Sequence, residues 1–293
     1  MESRIKGTTQ LLCLIGTPVG HSGSPAMHNF AFAHHGLDYA YLAFDIKEEQ
    51  APEAMKALKL LNAKGFNVTM PCKNIVAQNV DEISPEARII GACNTVVNEN
   101  GKWKGYITDG SGFVLNLKEH GVEVKDKKIV ICGAGGAATA IQVQCAFEGA
   151  KSITIFNGND PFLDRAKGTA AKLAVETPDC AVTVHCLDEK EAFAAAVKEA
   201  DIFINGTSVG MKPNEDKTII EDTSLFRKDL VVCDVVYNPT ETRMMREAKE
   251  AGCAMVIGGE GMLLWQGAVA YKLWTGKDFP VKEYQEFKAQ QNL

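Results

Sequence analysis

Apolar runs and helix-spaced apolar positions alternate along almost the whole chain. Residues 11–15, Leu-Leu-Cys-Leu-Ile, form the unbroken apolar run of a buried strand, and 39–45 alternates with period two as a second strand. Between them Ser24-Pro25 predicts a helix start, with serine at the N-cap and proline at the first helical position, and Gly36 is placed to end it. Helical spacing over 51–61 is followed by a short strand at 66–68, and Pro71 predicts the opening of a further helix. Residues 96–97 and 102–106 flank Asn98-Glu99-Asn100-Gly101, a hairpin turn signal.

A second pattern starts near residue 127. A strand over 127–132 runs into the turn Gly133-Ala134-Gly135-Gly136-Ala137-Ala138, which opens a helix ending near Gly149. Further strands are expected at 152–156, 182–186, 202–204, 231–236 and 254–257, with helical stretches between them, the pattern of one doubly wound sheet. A last helix over about 261–274 is expected to pack back on the first part of the chain. The fold class is therefore α/β with two domains. The first is an N-terminal α/β domain over 1–110, completed by the C-terminal helices of 261–293; the second is a Rossmann nucleotide-binding domain over 111–260.

Composition narrows the class without naming a function. The 293 residues, 46% of them hydrophobic, are enough for two cores. A net charge of −6 with no basic patch argues against nucleic acid or an anionic membrane surface as partner. No apolar run approaches the ~20 residues that span a bilayer, and the N-terminus lacks the apolar core of a signal peptide. The nine cysteines form no CxxC pair and sit mostly in apolar runs, which predicts free thiols in a reducing, cytoplasmic setting. The six histidines show no paired metal spacing, so no metal site is expected. A small-molecule substrate is the expected partner, and a homodimer is compatible with the sequence.

The glycine-rich turn carries the sharpest chemistry. It follows a strand and opens a helix, the context that a dinucleotide fingerprint requires. Gly133 suits the tight turn, Gly135 the close approach of a pyrophosphate, and Ala138 stands at the third glycine position. The helix N-terminus adds N–H groups for phosphate. At the end of the next strand, Asn157-Gly158-Asn159-Asp160 carries a carboxylate suited to a ribose 2′-OH and no cation suited to a 2′-phosphate, which favours NAD over NADP. Arg165 and Lys167 keep NADP open, and Asp160 has a plainer reading as the cap of the helix near Pro161.

Short polar motifs interrupt the first domain at its strand ends: His21-Ser22-Gly23-Ser24-Pro25, Asn67-Val68-Thr69-Met70-Pro71-Cys72-Lys73, Gly91-Ala92-Cys93-Asn94-Thr95 and Thr108-Asp109-Gly110. Hydroxyls, an amide, an ammonium and a carboxylate at strand ends suit a small polyhydroxylated ligand. Taken singly, Ser24 reads as a cap, Thr69 and Asn94 as groups satisfying local backbone, Lys73 and Gln266 as solvated side chains and Asp109 as a cap.

With Gly261-Met262-Leu263-Leu264-Trp265-Gln266, these motifs resemble the shikimate dehydrogenase family, in order and over nearly the whole chain. Met70, Gly210-Met211-Lys212-Pro213 and the run from Leu273 to Pro280 look most like its quinate/shikimate dehydrogenase branch. The resemblance implies reversible hydride transfer between NAD(P) and a ring hydroxyl of shikimate, with quinate as the alternative substrate and a non-catalytic ligand sensor as the alternative class. It implies that Ser22 and Ser24 bind the substrate carboxylate. Thr69, Asn94 and Gln266 would bind ring hydroxyls, with Tyr41 and Tyr237 nearby, and Lys73 and Asp109 would flank the reacting hydroxyl. Cofactor contacts are implied for Gly133, Ala134, Gly135, Gly136, Ala137, Asn157, Gly158, Asn159, Asp160, Ser208, Val235, Tyr237, Asn238, Gly259 and Met262. Three positions depart from the family pattern: Ile107 before Thr108, Gly158-Asn159 where arginine is common, and Gly258 where an acidic or amide residue is usual.

Overall fold

The computed structural model describes residues 5–291. Residues 1–4 and 292–293, the outer ends of the expected first domain and its closing helices, lie outside the described residues. The chain falls into two compact units, one running to Thr108 and resuming at Gln266, the other Asp109–Trp265.

In the first unit the order is β1 (Gln10–Gly16), α1 (Ser24–His34), β2 (Tyr39–Asp45), α2 (Ala51–Leu60), β3 (Gly65–Val68), α3 (Lys73–Asn79), β4 (Glu82–Ile83), α4 (Pro85–Ile90), β5 (Thr95–Glu99) and β6 (Lys102–Tyr106). The strands form one six-stranded sheet, β2-β1-β3-β5-β6-β4. β1 pairs in parallel with β2 and β3, whereas β5 runs antiparallel to both β3 and β6. That reversal comes from the hairpin: Asn100 and Gly101 both take positive φ, 54° and 84°, the two-residue loop whose twist matches its strands. The carboxyl ends of β1, β3 and β6 and the amino end of β5 therefore share one sheet edge.

The second unit contains α5 (Asp109–Glu119), β7 (Lys128–Cys132), α6 (Gly136–Phe147), β8 (Ser152–Asn157), α7 (Pro161–Glu176), β9 (Ala181–Cys186), α8 (Lys190–Glu199), β10 (Ile202–Asn205), β11 (Val231–Asp234), α9 (Arg243–Glu250) and β12 (Met255–Ile257). Its six strands are all parallel in the order β12-β11-β10-β7-β8-β9, the doubly wound arrangement. The apolar run of β7 is explained by burial on both faces, with Ile129, Val130, Ile131 and Cys132 all in the core. α10 (Glu260–Thr275) begins in this unit and continues into the first, where α11 (Val281–Gln291) follows. There Tyr271 donates to the Ala31 carbonyl at 3.2 Å and Trp274 Nε1 to that of Val96 at 3.0 Å.

Two expected helix starts are corrected. Ser24 is not the N-cap of α1; Gly23 is, and Pro25 sits within the first turn. The hydroxyl of Ser22 instead accepts the Ser24 N–H at 3.2 Å, so the serine two residues earlier supplies the oxygen. Pro71 does not open α3, which begins at Lys73 after the N-cap Cys72. The short helix α4, capped by Ser84 Oγ accepting from Ala87 N, and the longer α5 were not anticipated from the pattern.

Candidate active site

The shared edge of the first sheet collects the polar motifs. Thr69 follows β3, with its N–H bonded to the Ile15 carbonyl at 2.9 Å, which ties it to the end of β1. The Asn94 carbonyl accepts the Val68 N–H at 2.8 Å, and Asn94 N donates to Tyr106 at 2.9 Å, tying the start of β5 to both neighbours. Lys73 opens α3, and its carbonyl accepts the Cys93 N–H at 3.1 Å, which sets this helix start beside Asn94. Backbone pairing alone thus brings Thr69, Lys73 and Asn94 together. Asn94 is buried, and its Oδ1 accepts from the Thr108 N–H at 2.9 Å and the Thr108 hydroxyl at 3.2 Å. Gln266, on the part of α10 that belongs to this unit, brings Oε1 to 3.5 Å from both Asn94 Nδ2 and Thr108 Oγ1. Ser22 and Ser24 occupy the loop after β1 and the start of α1. Asp109 is the residue after Thr108 and opens α5, the first element of the second unit.

Tyr41 has a different place from the one expected. It is 0% exposed, and its hydroxyl donates to Asn67 Oδ1 at 2.7 Å. Burial pushes its phenol well above the usual range. Full burial sets Tyr41 behind the polar groups of the sheet edge, with its hydroxyl engaged by Asn67 and Ser24. Tyr41 is held inside because alternation along β2 turns it under α1, where its ring lies 4.6 Å from that of His28. Asn67, absent from the expected contacts, is the buried group that takes up this hydroxyl. The signal was in the sequence, since an amide inside the short apolar strand of 66–68 needs buried partners.

In the second unit the glycine-rich turn leaves β7 and enters α6. Gly133 has φ +103°, and a Cβ there would stand 2.9 Å from the Gly206 carbonyl oxygen, so no other residue fits. Gly135 and Gly136 differ: nothing lies within 4 Å of where their Cβ atoms would be. They border a cavity of about 230 Å³ lined also by Ala137, Gly206, Thr207, Ser208, Met211, Val235, Val236 and Tyr237. Gly135 caps α6 with no side-chain acceptor, which leaves the helix's leading N–H groups for an anion. An open cradle, a helix N-terminus and apolar walls fit a dinucleotide. Val236 falls within the expected segment 235–238, whereas Gly206, Thr207 and Met211 were missed; their signal is position, in the segment after β10, where loops of a doubly wound sheet meet ligands.

The remaining expected cofactor residues do not line this cavity. Ala134 is buried in the turn. Asn157 to Asp160 close β8: Asp160 Oδ1 accepts from Phe162 N at 2.8 Å, capping α7, and from Asn157 Nδ2 at 2.9 Å. Asn238 follows the lining residue Tyr237, and Met262 lies in the first turn of α10. Gly259 has a packing reason for being glycine, since a Cβ would run into the Val235 carbonyl.

A Rossmann sheet with this turn, in one chain with a unit whose sheet edge gathers hydroxyls, amides and a lysine, defines a two-domain dinucleotide-dependent dehydrogenase. Comparison with known proteins narrows that class. Residues 14–96 match the shikimate dehydrogenase substrate binding domain, and residues 259–283 match the shikimate 5′-dehydrogenase C-terminal domain. The chain is 45% identical over 286 residues to a shikimate dehydrogenase (NADP(+)) of Listeria monocytogenes serotype 4b (strain F2365), covering 98% of each. It is 46% identical over 273 residues to a quinate/shikimate dehydrogenase of Escherichia coli (strain SMS-3-5 / SECEC), covering 93% of this chain and 94% of that one. The crystal structure of shikimate 5-dehydrogenase from Listeria monocytogenes in complex with shikimate and NAD superposes with a TM-score of 0.95 at 44% identity, covering 98% of this chain and 99% of that one. The chain belongs to the shikimate dehydrogenase family.

Proposed function

We propose that the protein interconverts shikimate and 3-dehydroshikimate, with the unit that holds Lys73 and Asn94 taking the substrate and the Asp109–Trp265 unit taking NAD(P). The observation that carries this reading is the sheet edge on which Thr69, Lys73 and Asn94 are joined by backbone hydrogen bonds, with Gln266 reaching Asn94. Ser22 and Ser24 hold the substrate carboxylate; Thr69, Asn94 and Gln266 hold its ring hydroxyls. Bound NAD(P) supplies the hydride acceptor. Lys73 takes the proton from the reacting hydroxyl and returns it in the reductive direction, and Asp109 orients that hydroxyl and the ammonium. Holding the alcohol in one orientation lowers the barrier further by removing the entropy of encounter.

NAD is the preferred cofactor in this proposal. Gly158 and Asn159 put no cation at the end of β8, and Asp160 places a carboxylate there whose Oδ2 remains for a ribose hydroxyl once Oδ1 has capped α7. Quinate is the second substrate, a reading favoured by the likeness to the quinate/shikimate dehydrogenase. The nine free thiols, seven of them buried, suit a reducing cytoplasm. A homodimer is included in the proposal because the edge strand β2 exposes Leu42 and Phe44, and light scattering tests it. The deciding experiment for function is turnover of shikimate and quinate with each cofactor. Activity on shikimate with higher kcat/KM for NAD is expected, and no turnover of either substrate overturns the reading.

A further inference from the structure

The side-chain orientation of Asn94 is set by a buried network of amides and hydroxyls. Asn67 lies on β3, 7% exposed, with its amide nitrogen 3.1 Å from the Asn94 carbonyl and 3.0 Å from Thr95 Oγ1. A backbone carbonyl only accepts, so the atom facing it must be nitrogen. The Asn67 oxygen is then the atom facing Tyr41, whose hydroxyl donates at 2.7 Å. Thr95 Oγ1 already receives a proton from Asn67 and so spends its own on Asn94 Oδ1, 3.1 Å away. The Thr108 N–H, which only donates, reaches the same Oδ1 at 2.9 Å. Thr95 and Thr108 are 0% and 1% exposed, so neither hydroxyl has water as an alternative partner. Two backbone groups, the Asn94 carbonyl and the Thr108 N–H, therefore fix which ends of the Asn67 and Asn94 amides carry oxygen, and leave Asn94 Nδ2 as the donor end, 3.5 Å from Gln266 Oε1.

We propose that Asn67, acting through Thr95, is a positioning residue that holds Asn94 with its N–H₂ toward a substrate hydroxyl, with Tyr41 closing the network at the Asn67 oxygen. The inference rests on the proposed substrate role of Asn94. Neighbouring amides and hydroxyls that could otherwise flip are locked into one pattern, so the site offers donors to its ligand with no reorganisation on binding.

Steady-state kinetics with shikimate and NAD or NADP test it, using Asn67→Asp, Thr95→Val and Thr95→Ser, each alone and combined with Asn94→Ala. The expected result for Asn67→Asp and Thr95→Val is a rise of about 5–10-fold in the KM for shikimate, the range of one lost hydrogen bond, with the KM for the cofactor held within about twofold. Thr95→Ser keeps the hydroxyl and restores near-normal KM. In the Asn94→Ala background both changes lose their effect, because the group they position is gone. Should Asn67→Asp not fold, Thr95→Val and its serine control carry the test. Folded variants with unchanged KM, or effects that multiply fully with Asn94→Ala, overturn the inference alone. Wild-type protein that turns over neither shikimate nor quinate overturns the functional reading and the inference with it.

Discussion

The side-chain oxygen of Asn94 accepts the backbone N–H of Thr108 at 2.9 Å, joining the residue before β5 to the second residue after β6. Both residues are buried, so this bond satisfies a main-chain donor and at the same time fixes the orientation of a side chain proposed to bind substrate. Replacement by alanine and by aspartate separates the two roles. Asn94→Ala leaves the Thr108 N–H unpaired and lowers stability by about 1–3 kcal/mol, with a raised KM for shikimate. Asn94→Asp keeps the oxygen but turns an acceptor outward, so the KM rises while most of the stability stays. Thermal denaturation and kinetics on the same samples check both, and equal loss of stability in the two variants contradicts the assignment.

Lys73 is the proposed proton carrier. Lys73→Ala is expected to lower kcat by about 10²-fold or more, the range for a positioned acid or base, with little change in cofactor affinity. Pre-steady-state measurement of the chemical step checks this. An unchanged rate removes Lys73 from the reaction.

Cofactor choice is testable at Gly158. A Cβ there meets nothing closer than Asp160 Oδ2 at 3.6 Å, an ordinary contact, so an arginine enters without backbone strain. Gly158→Arg supplies the planar cation that a 2′-phosphate prefers. The ratio of kcat/KM for NADP to that for NAD is expected to rise by about tenfold, one good charge-assisted hydrogen bond. No change in that ratio argues against the end of β8 as the adenosine ribose site.

Asp234 predicts a pH-dependent stability. Its Oδ1 accepts from Asn205 Nδ2 at 3.0 Å and Val236 N at 2.9 Å, and its Oδ2 from the Thr242 hydroxyl at 2.8 Å. Burial outweighs these bonds and pushes the carboxyl from 3.8 up to about 6. A carboxyl raised on folding favours the folded state fully below its unfolded value and loses that advantage as pH rises through its folded value. Asp234→Asn can keep the Oδ1 contacts and let Thr242 accept instead of donate. Its stability relative to wild type is expected to grow between pH 4 and pH 6 and level off above, by on the order of 3 kcal/mol at most. Melting temperatures of both proteins over that window check it, and a gap independent of pH contradicts it.

Much of the fold was legible because its signals are local. Period-two alternation marked β2 at its observed bounds, and Asn100-Gly101 marked the hairpin through two residues that tolerate positive φ. The doubly wound sheet followed from apolar runs spaced by helical stretches, and the glycine turn from its place between β7 and α6. Ser24 misled because a serine before a proline looks like a cap from either of two positions, and only the Ser22–Ser24 bond distinguishes them. Tyr41 is a related case: its alternation shows that it faces inward, but not that the group awaiting its hydroxyl is an amide on β3.

By itself, then, the order of residues determined the element types, the family motifs and the chemical inventory, since propensity, periodicity and turn geometry act over a few residues. Which sheet neighbour receives each polar side chain was decided only when β2-β1-β3-β5-β6 assembled in that order. Residues 41, 67, 94 and 108 are remote in the chain, and the sense of each hydrogen bond among them depends on whether the next group can only give or only take a proton. That dependence has no local signature, so the aim of Asn94 exists only in the folded sheet.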